Sequence, residues 1–354
     1  MIFVNQKYCR IKYIWFLAVA LMLTACNNPV FFYEGDCEVS YYLRFVYDMN
    51  LKWADAFPSE VKSYNLYVFD NEGKFVKEYS ENGAALEDPA YTLKLDLMPG
   101  EYQLVAWCGL DNAAGAGESF LVPEPIKGQT TIEELSCKLR TLSDASFPVY
   151  SDTQLKFLYH GNMSVNLPDT QDGQDYYYTM YLTKDTNHIR IILQDTGGDN
   201  IEVGDFMVTI ESDDSWLAYD NLPIASAPVT YLPWSQVNDE MGFGDDDSDI
   251  KYSYGLVADL SMSRIMAEQQ NTSFLTIRNA QDHEIIARVP FIQYALLIKE
   301  YYEEAYGHAM TPQEFLDRED EYELTFFMIG QKWIDSYIYI NSWRVVLHNY
   351  DVGS

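Results

Sequence analysis

From Cys37 onward, apolar residues fall on every second position, and this period of two constrains the chain more than any other feature. Val39, Tyr41, Leu43 and Phe45 alternate with Ser40, Tyr42 and Arg44. Such a repeat sends one set of side chains to a buried face and the other to solvent, as in a half-buried strand. Asn65 to Phe69 reads as a second strand, and Asp70-Asn71-Glu72-Gly73 turns it into a third that begins at Phe75-Val76. A short polar loop ending in glycine between two such runs is a hairpin signal. Tyr91, Leu93, Leu95 and Leu97 alternate next. Pro99-Gly100 turns the chain, then Tyr102, Leu104, Ala106 and Cys108 alternate again, and Leu135, Cys137 and Leu139 give one more short strand. Short strands with turn residues at regular spacing predict a mainly all-β chain of sandwich type.

The polar run Pro168 to Asp175 is the best linker in the sequence, and a second β-rich series follows it. Strands are expected over Tyr176–Leu182, Ile189–Leu193, Phe206–Ile210, Val229–Tyr231 and Tyr252–Leu260. Thr276-Ile277, Ile285–Val289, Leu324–Ile329, Tyr337–Ile340 and Val345–Leu347 complete the series. A chain of 354 residues suits two domains. The division predicted is an N-terminal β-sandwich over 37–168 and a C-terminal one over 176–354. Helical pieces interrupt the second. Pro290 to Tyr306 is apolar and then charged, and does not declare its type. Thr311-Pro312-Gln313-Glu314 reads as a capping box, with Thr311 at the N-cap, Pro312 at the first helical position and Glu314 three after the cap.

The first 25 residues have the form of a signal peptide. Lys7, Arg10 and Lys12 make a basic start, and Ile14 to Leu23 is an apolar run too short to span a bilayer comfortably. Leu23-Thr24-Ala25-Cys26 then matches a bacterial lipobox, in which Cys26 is acylated and residues 26–36 form a lipidated tether. An ordinary secretory signal with a chance cysteine is the alternative. Cys9 leaves with the signal, so Cys37, Cys108 and Cys137 remain of five cysteines and allow at most one intramolecular disulfide. All three share the inward phase of their strands. A Cys37–Cys108 bridge is the favoured pairing, with three buried reduced thiols as the other possibility. The formal charge is −31; loss of three signal-peptide cations takes 23 basic residues to 20 against 54 acidic, or −34. Such a surface repels nucleic acid and argues against it as a partner.

A search for chemistry returns little. His160, His188, His283, His308 and His348 form no HExxH pair, and the chain has no GxSxG, no P-loop and no GxGxxG. No metal and no cofactor is expected, and no catalytic residue stands out. Asp185 and His188 allow a dyad to be drawn, but a turn leading into the Ile189 strand is the plainer reading. Gly244-Asp245-Asp246-Asp247-Ser248-Asp249 has the hard oxygen ligands of a Ca²⁺ loop without the glycine and distal glutamate of an EF-hand. A solvated acidic loop is its ordinary reading. Trp53, Trp107, Trp216, Trp234, Trp333 and Trp343 suit sheet packing better than sugar stacking. Among 54 acidic residues some carboxylate pair can always be chosen, so the pair required for glycoside hydrolysis has no specificity here.

Several strings, in order, resemble the fimbrillin-associated anchor family of Bacteroidia, the FimB-type fimbrial anchor lipoproteins. They are Cys37 through Asp48-Met49-Asn50, Ala54-Asp55-Ala56-Phe57, Leu66 to Asp70, Pro99-Gly100-Glu101-Tyr102 and Trp107-Cys108-Gly109. Lys184 to Arg190, Gln313 to Arg318 and Asn341 to Val346 continue them. The resemblance implies two tandem transthyretin-like β-sandwiches. It implies an accessory role: holding a pilus at the outer membrane, with stalk subunits as partners, and limiting its length. Surface exposure of the lipid-anchored protein rests on the family alone. Related polymerising subunits lose their first strand to a protease that cuts after Arg or Lys, which opens a groove for a neighbour's donor strand. Here no Arg or Lys lies between Cys26 and Arg44, and Arg44 is inside the first strand. That departure suits a subunit that keeps both lipid and strand. A surface glycan-binding lipoprotein and a tip or stalk subunit are the competing readings; nothing in the sequence asks for an enzyme.

Overall fold

A computed structural model describes residues 39–110, 119–170, 173–243, 251–334 and 337–347. Cys26, Cys37, His348 and the acidic run 244–249 lie outside the described residues. The chain forms two compact units, residues 1–40 with 170–176 and residues 41–169 with 177–354. Within the described part of the first, the Thr170 and Tyr176 hydroxyls lie 3.4 Å apart.

The alternating segments become strands. They are β1 (Ser40–Val46), β2 (Ser63–Asp70), β3 (Phe75–Asn82), β4 (Leu93–Leu95), β5 (Gly100–Cys108), β6 (Phe120–Leu121), β7 (Ser136–Leu139), β8 (Tyr150–Ser151) and β9 (Tyr159–Leu167). After them come β10 (Asp175–Tyr181), β11 (Thr183–Lys184), β12 (Thr186–Asp195), β13 (Phe206–Ser212), β14 (Trp216–Ala218), β15 (Val229–Tyr231) and β16 (Ser235–Phe243). The last are β17 (Lys251–Ser263), β18 (Phe274–Asn279), β19 (Ile285–Pro290), β20 (Glu321–Ile329), β21 (Lys332–Trp333), β22 (Tyr337–Ile340) and β23 (Trp343–Val346). Helices are short: α1 (Phe57–Glu60), α2 (Phe291–Leu296), α3 (Lys299–Tyr306) and α4 (Pro312–Arg318). The undeclared stretch after Pro290 is thus two helices, and α1 adds a helical turn in the first half.

The expectation of a mainly β chain built from sandwiched sheets holds. Early strands make a three-stranded sheet, β10-β1-β4, and a five-stranded sheet, β11-β9-β5-β2-β3. Later strands make β16-β17-β12-β20-β22-β23, with β21 on β20, and β19-β18-β13-β15-β8; a small sheet runs β14-β7-β6. β12 is parallel to β20 and antiparallel to β17. Two early strands serve late sheets: β7 pairs with β14 and β8 lies parallel to β15. The same mixing appears in the core. Leu104, Ala106 and Cys108 on one face of β5 are buried, and so are Val105 and Trp107 on the other. Tyr67, Phe69, Val105 and Trp107 join one buried cluster with Cys137, Ile189, Leu260 and Phe326. Alternation in β5 therefore sorts two apolar faces, as expected of a strand covered on both sides.

Two local expectations change. Thr311 does cap α4, accepting from the Glu314 amide at 3.1 Å, with Pro312 at the first position. The reciprocal half of the box is absent, because the Glu314 carboxylate turns to Arg318 Nε at 3.0 Å. A complete box stands instead at Thr131 and Glu134, where the Thr131 amide donates to Glu134 Oε2 at 2.8 Å. His188 is not in a turn. β12 is hydrogen-bonded on both sides there, with Asn187 opposite Met262 and His188 opposite Glu321, so the ladder carries the strand back to Thr186.

Candidate functional site: the first strand and its groove

β1 lies between two neighbours rather than at an edge. β4 flanks it antiparallel, with Tyr41 opposite Leu95 and Leu43 opposite Leu93, and β10 takes the other side. Just past β10, the Leu182 amide donates to Val46 O at 2.8 Å. Of the inward set the alternation singles out, Tyr41, Leu43 and Phe45 are 4%, 0% and 1% exposed, and Val39 lies just before β1, half-buried. Each contributes roughly 1.5–3 kcal/mol by leaving water. Phe45 stacks on Phe57 with ring centres 5.5 Å apart and meets Tyr64 at 4.9 Å. The Tyr41 hydroxyl donates to Pro168 O at 2.6 Å. Arg44 points outward, and its Nη2 reaches Asp55 Oδ2 at 3.0 Å. Asp55 Oδ1 accepts from the amides of Tyr47 and Phe57, both at 3.1 Å, so the loop after β1 folds back beside the strand.

Two further strings of the resemblance, Lys184 to Arg190 and Gln313 to Arg318, contribute to a largely buried polar network. Lys184, with only 4% of its side chain exposed, pairs with Asp320 and lies 3.8 Å from Glu60 Oε2. Its ammonium also sits 3.7 Å above the Phe157 ring. Asp185 is wholly buried. It accepts from Asn221 Nδ2 at 2.8 Å and faces Arg264 Nε at 3.8 Å. Burial pushes its carboxyl up to about 7, against the pull of Arg264. Arg264 in turn holds both oxygens of Asp317 through Nη2 at 3.0 Å, and Gln313 Nε2 donates to Asp317 Oδ1 at 2.9 Å. The drawn Asp185–His188 dyad does not form: His188 Nε2 faces Asp259 at 3.4 Å, and that carboxylate accepts from Arg190 Nε at 2.8 Å.

Cys108 and Cys137 are buried and unbonded to each other, and burial raises both thiols well above their ordinary range. Trp107 is fully buried, and Trp343, 39% exposed, stacks on Tyr301 with ring centres 4.8 Å apart. Among the described residues no group of three or more His, Cys, Asp or Glu is placed to hold a metal ion. No helix among them is long and apolar enough to cross a membrane. Lys184 and Arg318 lie in strings of the resemblance, and Glu314–Arg318 is an i,i+4 pair; Arg264 stands out only once the fold brings Asp185 and Asp317 close.

A mainly β chain of several sheets, with its first strand internal and charged pairs buried, is the class the fold defines. The profile of the fimbrillin-A associated anchor proteins Mfa1 and Mfa2 matches residues 33–349, and the chain belongs to that family. Among solved structures, an adhesin candidate from Bacteroides thetaiotaomicron is 32% identical, with a TM-score of 0.74 over 87% of this chain and 97% of its own. A polysaccharide-binding candidate from the same organism is 24% identical, with a TM-score of 0.71 over 88% and 99%. The fimbrial anchor protein Mfa2 of Porphyromonas gingivalis shares the fold at 16% identity, with a TM-score of 0.61 over 88% and 99%. None of the curated proteins matches in sequence. The protein thus has a fimbrial accessory or anchor role, at the cell surface or envelope, with fimbrial subunits as its partners.

Proposed function

We propose that this protein anchors a pilus to the outer membrane through a lipid on Cys26 and stops subunit addition by keeping its first strand. The observation that carries the reading is the filled groove. Tyr41, Leu43 and Phe45 of β1 occupy it from within the same chain, with ladders on both sides. A donor strand from a neighbour would have to displace all three, and a filled groove ends growth where this subunit is added. The two sandwiches, 37–168 and 176–354, act as successive pilin-like domains, the first lending β7 and β8 to sheets of the second. A Cys37–Cys108 bridge would add a covalent hold on the chain just before β1. The edge strand β23 and its neighbour β22 are the contact offered to the adjacent stalk subunit.

The experiment compares cells carrying the intact protein, a form lacking residues 27–46 and the Cys26→Ala form. Deletion is expected to let the protein take up donor strands, seen as longer pili or as its incorporation along them. Cys26→Ala is expected to leave the fold intact and move the protein out of the membrane fraction. Purified full-length protein that polymerises while retaining Val39 to Phe45 overturns strand retention. A Cys26→Ala protein still firmly in the membrane pellet overturns the lipid tether.

A further inference from the structure

We propose that Arg318 is the latch that keeps β1 in its groove, tying the loop after β1 to helix α4. This rests on the reading that the retained strand ends growth. The loop begins two residues past the end of β1. Arg318 Nη1 donates to Asp48 O at 2.9 Å and to Asn50 O at 3.2 Å, across more than 260 residues of chain. Both acceptors are backbone carbonyls, so the restraint acts on the path of the chain. Glu314, one helical turn earlier, accepts from Nε at 3.0 Å and aims the guanidinium. The guanidinium carbon lies 3.5 Å from the Trp53 ring centre, and the His308 ring sits 4.6 Å from that of Trp53. The Arg318 side chain is 8% exposed.

Both ends of the tie are rigid. α4 is capped by Thr311 and buries Phe315 and Leu316. The loop closes on itself: Asn50 Nδ2 donates to Tyr47 O at 3.0 Å and Ala54 O at 2.9 Å, and the Trp53 amide donates to Asn50 O at 3.2 Å. Trp53 holds φ at +53°, a left-handed conformation costly for a bulky residue, and this places its indole over Arg318. A planar fork that serves two carbonyls, a carboxylate and an indole face is a task for arginine; lysine offers one point charge. Strand exchange at β1 must lift residues 47–50 away from the groove, and this breaks the latch first.

The test is hydrogen exchange on the full-length protein. In Arg318→Ala the amides of residues 40–56 are expected to exchange about ten- to a hundredfold faster, the effect of losing charged hydrogen bonds to backbone. Strands β12 and β17 should keep their protection, and Arg318→Lys should restore part of it. Arg264→Ala serves as control: that arginine is 11% exposed and bonds Asp317 on α4, and its other hydrogen bond goes to Asn221 O rather than to the loop. Unchanged exchange over 40–56 in Arg318→Ala, or acceleration spread evenly through the chain, overturns the latch. Should that variant not fold, Trp53→Gly removes the ring and relieves the positive φ; unaltered exchange there overturns the latch as well. Uptake of a labelled peptide copy of residues 39–46 separates the two readings. Uptake by Arg318→Ala alone supports both. A loosened strand without uptake supports the latch and counts against growth termination.

Discussion

Several buried groups, Asp185 among them, set how stability should depend on pH, and they do not all pull the same way. Asp214 is wholly buried; its Oδ1 accepts from the Tyr231 hydroxyl at 2.7 Å, and burial raises its carboxyl to about 7. Glu319 is raised to about 7 by burial too. In the unfolded chain these groups titrate near ~4. Between that value and 7 the folded state keeps a proton that the unfolded state has released. The stability each supplies is therefore complete below ~4 and lost as pH rises through 7. His160 works in the opposite sense. Its Nε2 lies 2.9 Å from Tyr219 O, and burial lowers its pKa to about 3, so the stability it supplies is lost as pH falls from ~6.5 toward that value. Below ~6.5 the histidine offsets part of the carboxyl slope; above it the carboxyls act alone. Asp214→Asn keeps an acceptor for Tyr231 and removes the titration. Thermal melts from pH 4 to 9 should show a flatter profile and a higher Tm than the parent at pH 8. A profile parallel to the parent's would show that Asp214 does not titrate in the folded protein as its burial requires.

At the scale of elements, legibility follows burial on one face. β1 could be read from residue 39 onward because only one of its faces is packed, so Tyr41, Leu43 and Phe45 stand out against Tyr42 and Arg44. β9 and β16 went unmarked. β9 carries Gly161, Asn162, Ser164 and Asn166, which strands disfavour, and is held by β5 along its whole length. β16 is an edge strand, Ser235 to Phe243, with one ladder, and none of the residues from Ser235 to Gly242 is buried. The groove was legible as a pattern, whereas its closure was not, since Pro168 and Arg318 reach β1 or its loop from distant sequence. Gly109 is an intermediate case: a glycine in a quoted string whose φ of +92° and whose approach to Phe157 O, 1.9 Å from where a Cβ would sit, appear only in the fold. The same one-sided burial predicts how β1 responds to substitution. Leu43 is fully buried and Leu43→Ala should cost ~2–5 kcal/mol in urea unfolding. Arg44 is half exposed and its pair with Asp55 is screened, so Arg44→Ala should cost under ~1 kcal/mol. Equal losses from the two would mean that β1 is not seated by its inward face.

For the molecule as a whole, the linker at 168–175 looks like a boundary in composition and behaves less like one in contact. β7 and β8 precede it, yet their partners β14 and β15 follow it. Trp107 and Val105, on the far side of β5 from β1, are buried with Ile191, Leu193 and Phe326. If residues 39–168 unfolded alone, Trp107 and Val105 would be uncovered, and β14 and β15 would each lose a ladder. Both losses weigh on the part left folded, which couples the halves. Residues 41–169 and 177–354 should therefore unfold together. In urea, tryptophan fluorescence and far-ultraviolet circular dichroism are expected to trace one coincident transition. A protein expressed as residues 39–168 alone should be poorly soluble, because Tyr67, Val105, Trp107 and Cys137 would face water. Two resolved transitions, or a stable and soluble 39–168 fragment, would show the shared strands to be ornamental. Coupling of this kind also bears on anchoring: pull applied to one half is borne by ladders in both, and Arg318 extends that sharing to the loop that closes over the first strand.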